Sequence, residues 1–144
     1  MNKIPLSLRF IFGFSLAGFL FSGYLATIQL FSGACAFNET CQTVLHVPVC
    51  WYDFALFVML LSLSYYTFTQ RIGFAKAITY IGGVSLFGVL FAGTLTLTEI
   101  PAYLKKGFGA YTFGVPTCFM GLVFFMMIFV TAALAWSHDR QRNM

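Results

Sequence analysis

The sequence predicts an all-α membrane protein: a four-transmembrane-helix bundle built from a duplicated helical hairpin, with both termini cytoplasmic. Three observations lead there. Charged residues make up 8% of the chain, against about 25% in a soluble domain that must wet its surface. The charges fall in clumps that leave four long uncharged stretches. Those stretches also resemble one another in pairs at a near-constant spacing.

A helix needs roughly 20 apolar residues to cross a hydrocarbon core of about 30 Å. Backbone amides left unpaired in lipid cost several kcal/mol, so each crossing must be helical. The first helix is expected over about 8–31, because no charge follows Arg9 until Glu39. This stretch is longer than a signal-peptide core and no A-x-A site follows it, so it is read as retained. Ser32-Gly33-Ala34-Cys35 has Ser32 where a lipoprotein cleavage site carries an aliphatic residue. The second helix is expected over 51–70, with Trp51 and Tyr52 as an interfacial anchor. The third is expected over 76–98, where an uncharged run follows Lys76. The fourth, over 117–136, lies in a segment without Asp, Glu, Lys or Arg from Gly107 to Ser137.

Basic residues set the orientation. Lys3 and Arg9 precede the first helix, Arg71 and Lys76 bracket the second turn, and Arg140 and Arg142 follow the fourth helix. The connection 32–50 has no Lys or Arg, while Lys105 and Lys106 in the other such loop dissent. Six of the eight basic residues thus place both termini and the 71–76 turn in the cytoplasm. A net charge of +4 made of such anchors says nothing about nucleic acid.

Shifting the chain by 70 positions aligns residues 13–30 with 83–100, with eight of 18 positions identical, including Gly13/Gly83, Gly18/Gly88 and Gly23/Gly93. Shifting by 68 aligns Val47-Pro48-Val49-Cys50 with Val115-Pro116-Thr117-Cys118. Two halves, about 8–70 and 76–136, would then insert the same way round, related by an axis along the membrane normal. Gly18-x-x-x-Ser22 and Gly88-x-x-x-Ala92 supply small-residue faces on which helices approach closely. Gln29 and Glu99 are equivalent in this alignment and are expected to be interfacial polar residues.

All four cysteines, Cys35, Cys41, Cys50 and Cys118, fall at the outer face in this topology. Outside a bacterial inner membrane that face is oxidising, so an even count favours disulfides. Cys35 and Cys41 enclose a five-residue loop, and Cys50 and Cys118 are repeat equivalents; the expected bridges are Cys35–Cys41 and Cys50–Cys118, with Cys41–Cys50 competing. Pro48 and Pro116 leave Cys50 and Cys118 in the first turns of their helices. The helix dipole there favours a thiolate, the nucleophile of disulfide exchange. The same placement suits a structural staple. His46 reads as a solvated loop residue or a proton partner, and Asp53 as a cap on the second helix. No paired C-x-x-C or His cluster suggests a metal.

This arrangement resembles the vitamin K epoxide reductase and DsbB-type quinone-linked disulfide oxidoreductases. Cys35-x5-Cys41-Gln42-Thr43-Val44-Leu45 is similar to the loop pair of the former, and Val49-Cys50-Trp51-Tyr52 to the end of the C-x-x-C-W-Y motif of the latter. The general resemblance spans residues 8–136. Its departures are that Val47 replaces the first cysteine of a C-x-x-C, and that Asp53-Phe54 stands where an arginine usually follows. The resemblance implies that Cys35–Cys41 exchanges with a thioredoxin-like periplasmic protein and hands electrons to Cys50–Cys118, which a quinone reoxidises. The alternative is a non-catalytic four-helix protein or complex subunit with structural disulfides. A carrier is disfavoured because no helix is expected to hold a buried charge.

Overall fold

A computed structural model describes residues 5–33, 43–107 and 117–142. Four helices follow in order, α1 (Leu6–Ser32), α2 (Val49–Phe68), α3 (Phe74–Lys106) and α4 (Thr117–Arg142), and all four are long and apolar enough to cross a membrane. The protein is a multi-pass, all-helical membrane bundle. An even number of crossings puts its two termini on one side.

Local sequence explains the boundaries. α1 ends where Gly33 takes the left-handed conformation (φ 64°) and donates its N–H to the Gln29 carbonyl, the favoured glycine stop. α2 begins immediately after Pro48, whose fixed φ and missing N–H suit a helix entrance. α3 runs eight residues past the expected end at 98 and passes through Pro101. A proline removes a single N–H from the ladder, and the charge at Glu99 does not end the helix because its side chain is buried. α4 likewise extends to Arg142, carrying Arg140 over the Trp136 ring at 5.4 Å.

The two hairpins, α1/α2 and α3/α4, make the most extensive helix contacts, and α1/α4 and α2/α3 close the bundle. Burial repeats along the chain as closely as sequence does. The order of buried, half-buried and exposed positions over 11–24 recurs position for position over 81–94, and that over 54–67 recurs over 122–135. Each helix therefore turns the same stripe inward in both halves. Outward, Leu20 and Leu90 are repeat equivalents and both 61% exposed, an arrangement that lipid tolerates and water does not.

At the centre the equivalent rings of Phe57 and Phe125 stack across the bundle, centroids 4.5 Å apart and planes 9° from parallel. Gly18 lies against Phe57 and Gly88 against Phe125, so the two small-residue faces point inward and receive the stacked pair. Toward the end that holds the termini, Ser15, Ser64 and Ser85 are fully buried among large aliphatic side chains such as Ile11, Leu60 and Ile81. Ser64 donates to the Leu60 carbonyl of its own helix at 2.8 Å, as membrane serines commonly do.

At the opposite end, Thr43–Val44 and Val47–Pro48 form a two-stranded antiparallel hairpin. Its two-residue turn places Leu45 (φ 54°) and His46 (φ 68°) in the left-handed region. The Tyr52 hydroxyl donates to the Val44 carbonyl at 3.2 Å, fastening the hairpin to α2. Arg9, Arg71, Lys76 and Arg140 are exposed at the end with the termini.

Candidate functional site

The chemistry-bearing side chains of the described residues gather at the hairpin end of the bundle. Cys50 is the second residue of α2, as its proline predicts, and Cys118 is the second residue of α4. Cys50 is half-buried and Cys118 buried. Cys35 and Cys41, and with them the expected Cys35–Cys41 bridge, lie outside the described residues.

The two cysteine-bearing helices approach each other one turn deeper. Asp53 follows Cys50 by three residues and Gly121 follows Cys118 by three, a spacing that keeps each pair on one helix face. An Asp53 carboxylate oxygen lies 3.2 Å from where a Cβ on Gly121 would stand. One further turn in, Phe57 stacks on Phe125. Cys50, Asp53 and Phe57 thus line one face of α2, and Cys118, Gly121 and Phe125 line the facing surface of α4. The structure brings the two cysteine helices together at two equivalent levels, Asp53 against Gly121 and Phe57 against Phe125.

Asp53 is not a cap. α2 starts at Val49 and has no side-chain cap, so Asp53 stands in the second turn. Its Oδ1 is fully buried and has no hydrogen-bond partner among the described residues. Glu99 turns into the bundle. It is 9% exposed, and the Cys118 thiol approaches its Oε1 at 3.9 Å. Gln29, its repeat equivalent, has its Oε1 buried as well. The expectation that no helix buries a charged residue is therefore overturned. The inward stripe of α3, Ile81, Ser85, Gly88 and Ala92, continues by helical spacing to Glu99. The stripe of α2, read back from Leu60 and Phe57, reaches Asp53.

The internal repeat singles out these two acids. Register with the repeat sets Asp53 against Gly121 and Glu99 against Gln29, so both acids occur where the halves differ. His46 is exposed in the hairpin turn, as a solvated loop histidine would be.

Beside the cysteine level, an apolar groove of about 430 Å³ opens between α1 and α2, lined by Phe19, Gly23, Tyr24, Thr27, Trp51 and Phe54 among others. Gly23 keeps it open, since a Cβ there would stand 3.2 Å from the Phe54 ring. Its volume is in the range of small-molecule sites, and aromatic walls with one hydroxyl and one phenol suit a flat, weakly polar ring.

Compared with protein-family models, with curated proteins and with solved structures, the chain matches none of them.

Proposed function

We propose that this chain is a membrane-embedded thiol–disulfide oxidoreductase of a bacterial inner membrane, with its cysteine end facing outside. Electrons from a thioredoxin-like partner enter through Cys35–Cys41, pass to Cys50–Cys118 and leave to a quinone. The observation that carries this reading is the Cys118 thiol beside the Glu99 carboxylate, in the first turn of α4 as Cys50 is in the first turn of α2. A thiol needs a proton acceptor and a partner thiol to become a disulfide, and a carboxylate buried in a bundle is costly unless it has a task.

The chain's own residues supply each requirement. The helix N-termini favour a thiolate at Cys50 and Cys118. Glu99 Oε1 takes the Cys118 proton. The groove at Phe19, Gly23, Trp51 and Phe54 holds a planar ring next to the first turn of α2. A bound quinone supplies a two-electron, two-proton acceptor. Exposed Arg9, Arg71, Lys76 and Arg140 at the other end favour the cytoplasm there.

The test is a redox titration of the purified chain with thiol trapping by alkylation, with and without a short-chain benzoquinone. Expected are two exchangeable pairs, Cys35–Cys41 and Cys50–Cys118, with potentials near those of thioredoxin-like proteins and reoxidation that requires the quinone. Cysteines that resist mild reductant, or thiols indifferent to the quinone, would reduce the bridges to structural staples.

A further inference from the structure

We infer that Asp53 is the second proton-holding group of the Cys50–Cys118 pair, so that the two halves of the bundle supply one acid each to a two-proton reaction. This rests on the oxidoreductase reading above and adds to it. Forming the Cys50 Sγ–Cys118 Sγ bond breaks two S–H bonds. Two electrons leave to the quinone, and two protons need acceptors beside the sulfurs. Glu99 Oε1 serves Cys118. Asp53, one turn beneath Cys50 on the same face, serves Cys50 and has a buried Oδ1 with no other partner among the described residues. Both protons then pass to the reduced quinone, so the balance is two thiols and one quinone giving one disulfide and one hydroquinone.

Three features favour Asp53 over an incidental polar residue. Its carboxylate lies at the α2/α4 contact, against Gly121, the position that Asp53 itself occupies in the other half. Glycine there makes the room that the carboxylate fills. The other polar groups of the described helices at this end of the bundle are Glu99 on α3, Cys118 on α4, Gln29 and Tyr24 on α1, and Cys50 and Tyr52 on α2. No lysine or arginine of the described residues stands at this level, so a proton is the natural counter-charge for a buried carboxylate. General acid–base groups of this kind contribute typically 10²–10⁴-fold.

The experiment uses the full chain in lipid nanodiscs. Infrared difference spectra between the dithiol form, made with a dithiol reductant, and the disulfide form, made with a soluble disulfide, are compared for wild type, Asp53→Asn and Glu99→Gln. Expected is a protonated-carboxyl band that responds to the redox state, with separate components removed by each substitution. Quinone-dependent reoxidation should slow by about 10²-fold or more in Asp53→Asn and recover in Asp53→Glu. Asp53→Asn should unfold no more easily than wild type, which separates a lost proton site from a lost fold. A redox-active pair whose spectrum and reoxidation rate are unchanged in Asp53→Asn overturns this inference alone. A Cys50–Cys118 pair that does not cycle at all overturns the oxidoreductase reading together with it.

Discussion

Four glycines, in two equivalent pairs, allow the packing of the bundle centre to be tested with its own control. Gly18 and Gly88 face the central rings; a Cβ on either would come closer than 3.0 Å to ring atoms of Phe57 or Phe125. Gly13 and Gly83 lie on the same helices, exposed, with nothing within 4 Å of a Cβ. Replacing a helical glycine by alanine gains about 0.8–1 kcal/mol of intrinsic helix propensity. Overpacking a filled core costs typically about 1–3 kcal/mol. Phe57 and Phe125 are 1% and 0% exposed and stacked on each other, so neither ring can yield and the cost belongs near the upper end. Gly18→Ala and Gly88→Ala should therefore each lose about 2 kcal/mol, while Gly13→Ala and Gly83→Ala should be neutral or gain up to about 1 kcal/mol. Reversible unfolding in mixed detergent micelles, followed by circular dichroism, reads the difference. Adding Phe57→Leu should recover part of the Gly18→Ala loss, a coupling of about 0.5–3 kcal/mol between touching residues. If all four alanine variants move stability by the same amount, the inward placement of the Gly18 and Gly88 faces is wrong.

Other outcomes follow from the same structure. Leu45→Asn with His46→Gly should strengthen the hairpin by about 1 kcal/mol, since both residues occupy the left-handed region that Asn-Gly turns prefer; slower amide exchange in the strands is the readout, and unchanged exchange would refute the turn geometry. Tyr52→Phe should expose the same amides faster, because it removes the bond to the Val44 carbonyl, worth about 0.5–1.5 kcal/mol. Gly23→Leu should fill the α1/α2 groove and weaken binding of a short-chain benzoquinone measured by fluorescence quenching of Trp51, whereas the equivalent Gly93→Leu should leave it unchanged; equal effects would remove the groove as the quinone site. A cysteine placed at Gly73 should label from the cytoplasmic side of intact cells' inverted membranes and not from outside, and the reverse would invert the topology.

Helix number, helix register and the inward glycines were all legible from the sequence, because lipid imposes a single solution on an uncharged stretch of that length. The repeat was legible for the same reason: Gly18 and Gly88 differ from their neighbours in size, and size decides which face can approach another helix. What the sequence concealed was which way two acids point. Glu99 marks the end of an uncharged run, and a charge at the end of a run normally sits in the interface. Only the stripe of Ile81, Ser85, Gly88 and Ala92, continued by helical spacing, shows that it turns inward. Asp53 was misplaced by one turn, because a helix counted from Trp51 puts it in the first turn and a helix beginning at Val49 does not. The resemblance to quinone-linked oxidoreductases rested on a few residues, and the comparisons with known proteins add nothing to it.

The two halves of the chain pack alike where stability is decided and differ where chemistry would be. Phe57 and Phe125, Gly18 and Gly88, and Ser15 and Ser85 are kept in pairs, and each pair is buried. Asp53 against Gly121 and Glu99 against Gln29 are the departures at the cysteine level. A twofold-symmetric site would put two aspartates against each other across the axis, and a pair of like charges in a bundle would cost several kcal/mol. Retaining one acid from each pair avoids that repulsion and still leaves two acids for two thiols. If the departures were neutral drift, restoring symmetry with Asp53→Gly should leave thiol reoxidation intact and raise stability by removing a buried carboxyl group. If they serve the cysteines, that same substitution should raise stability and slow reoxidation by about 10²-fold or more, and both quantities can be read from one purified sample.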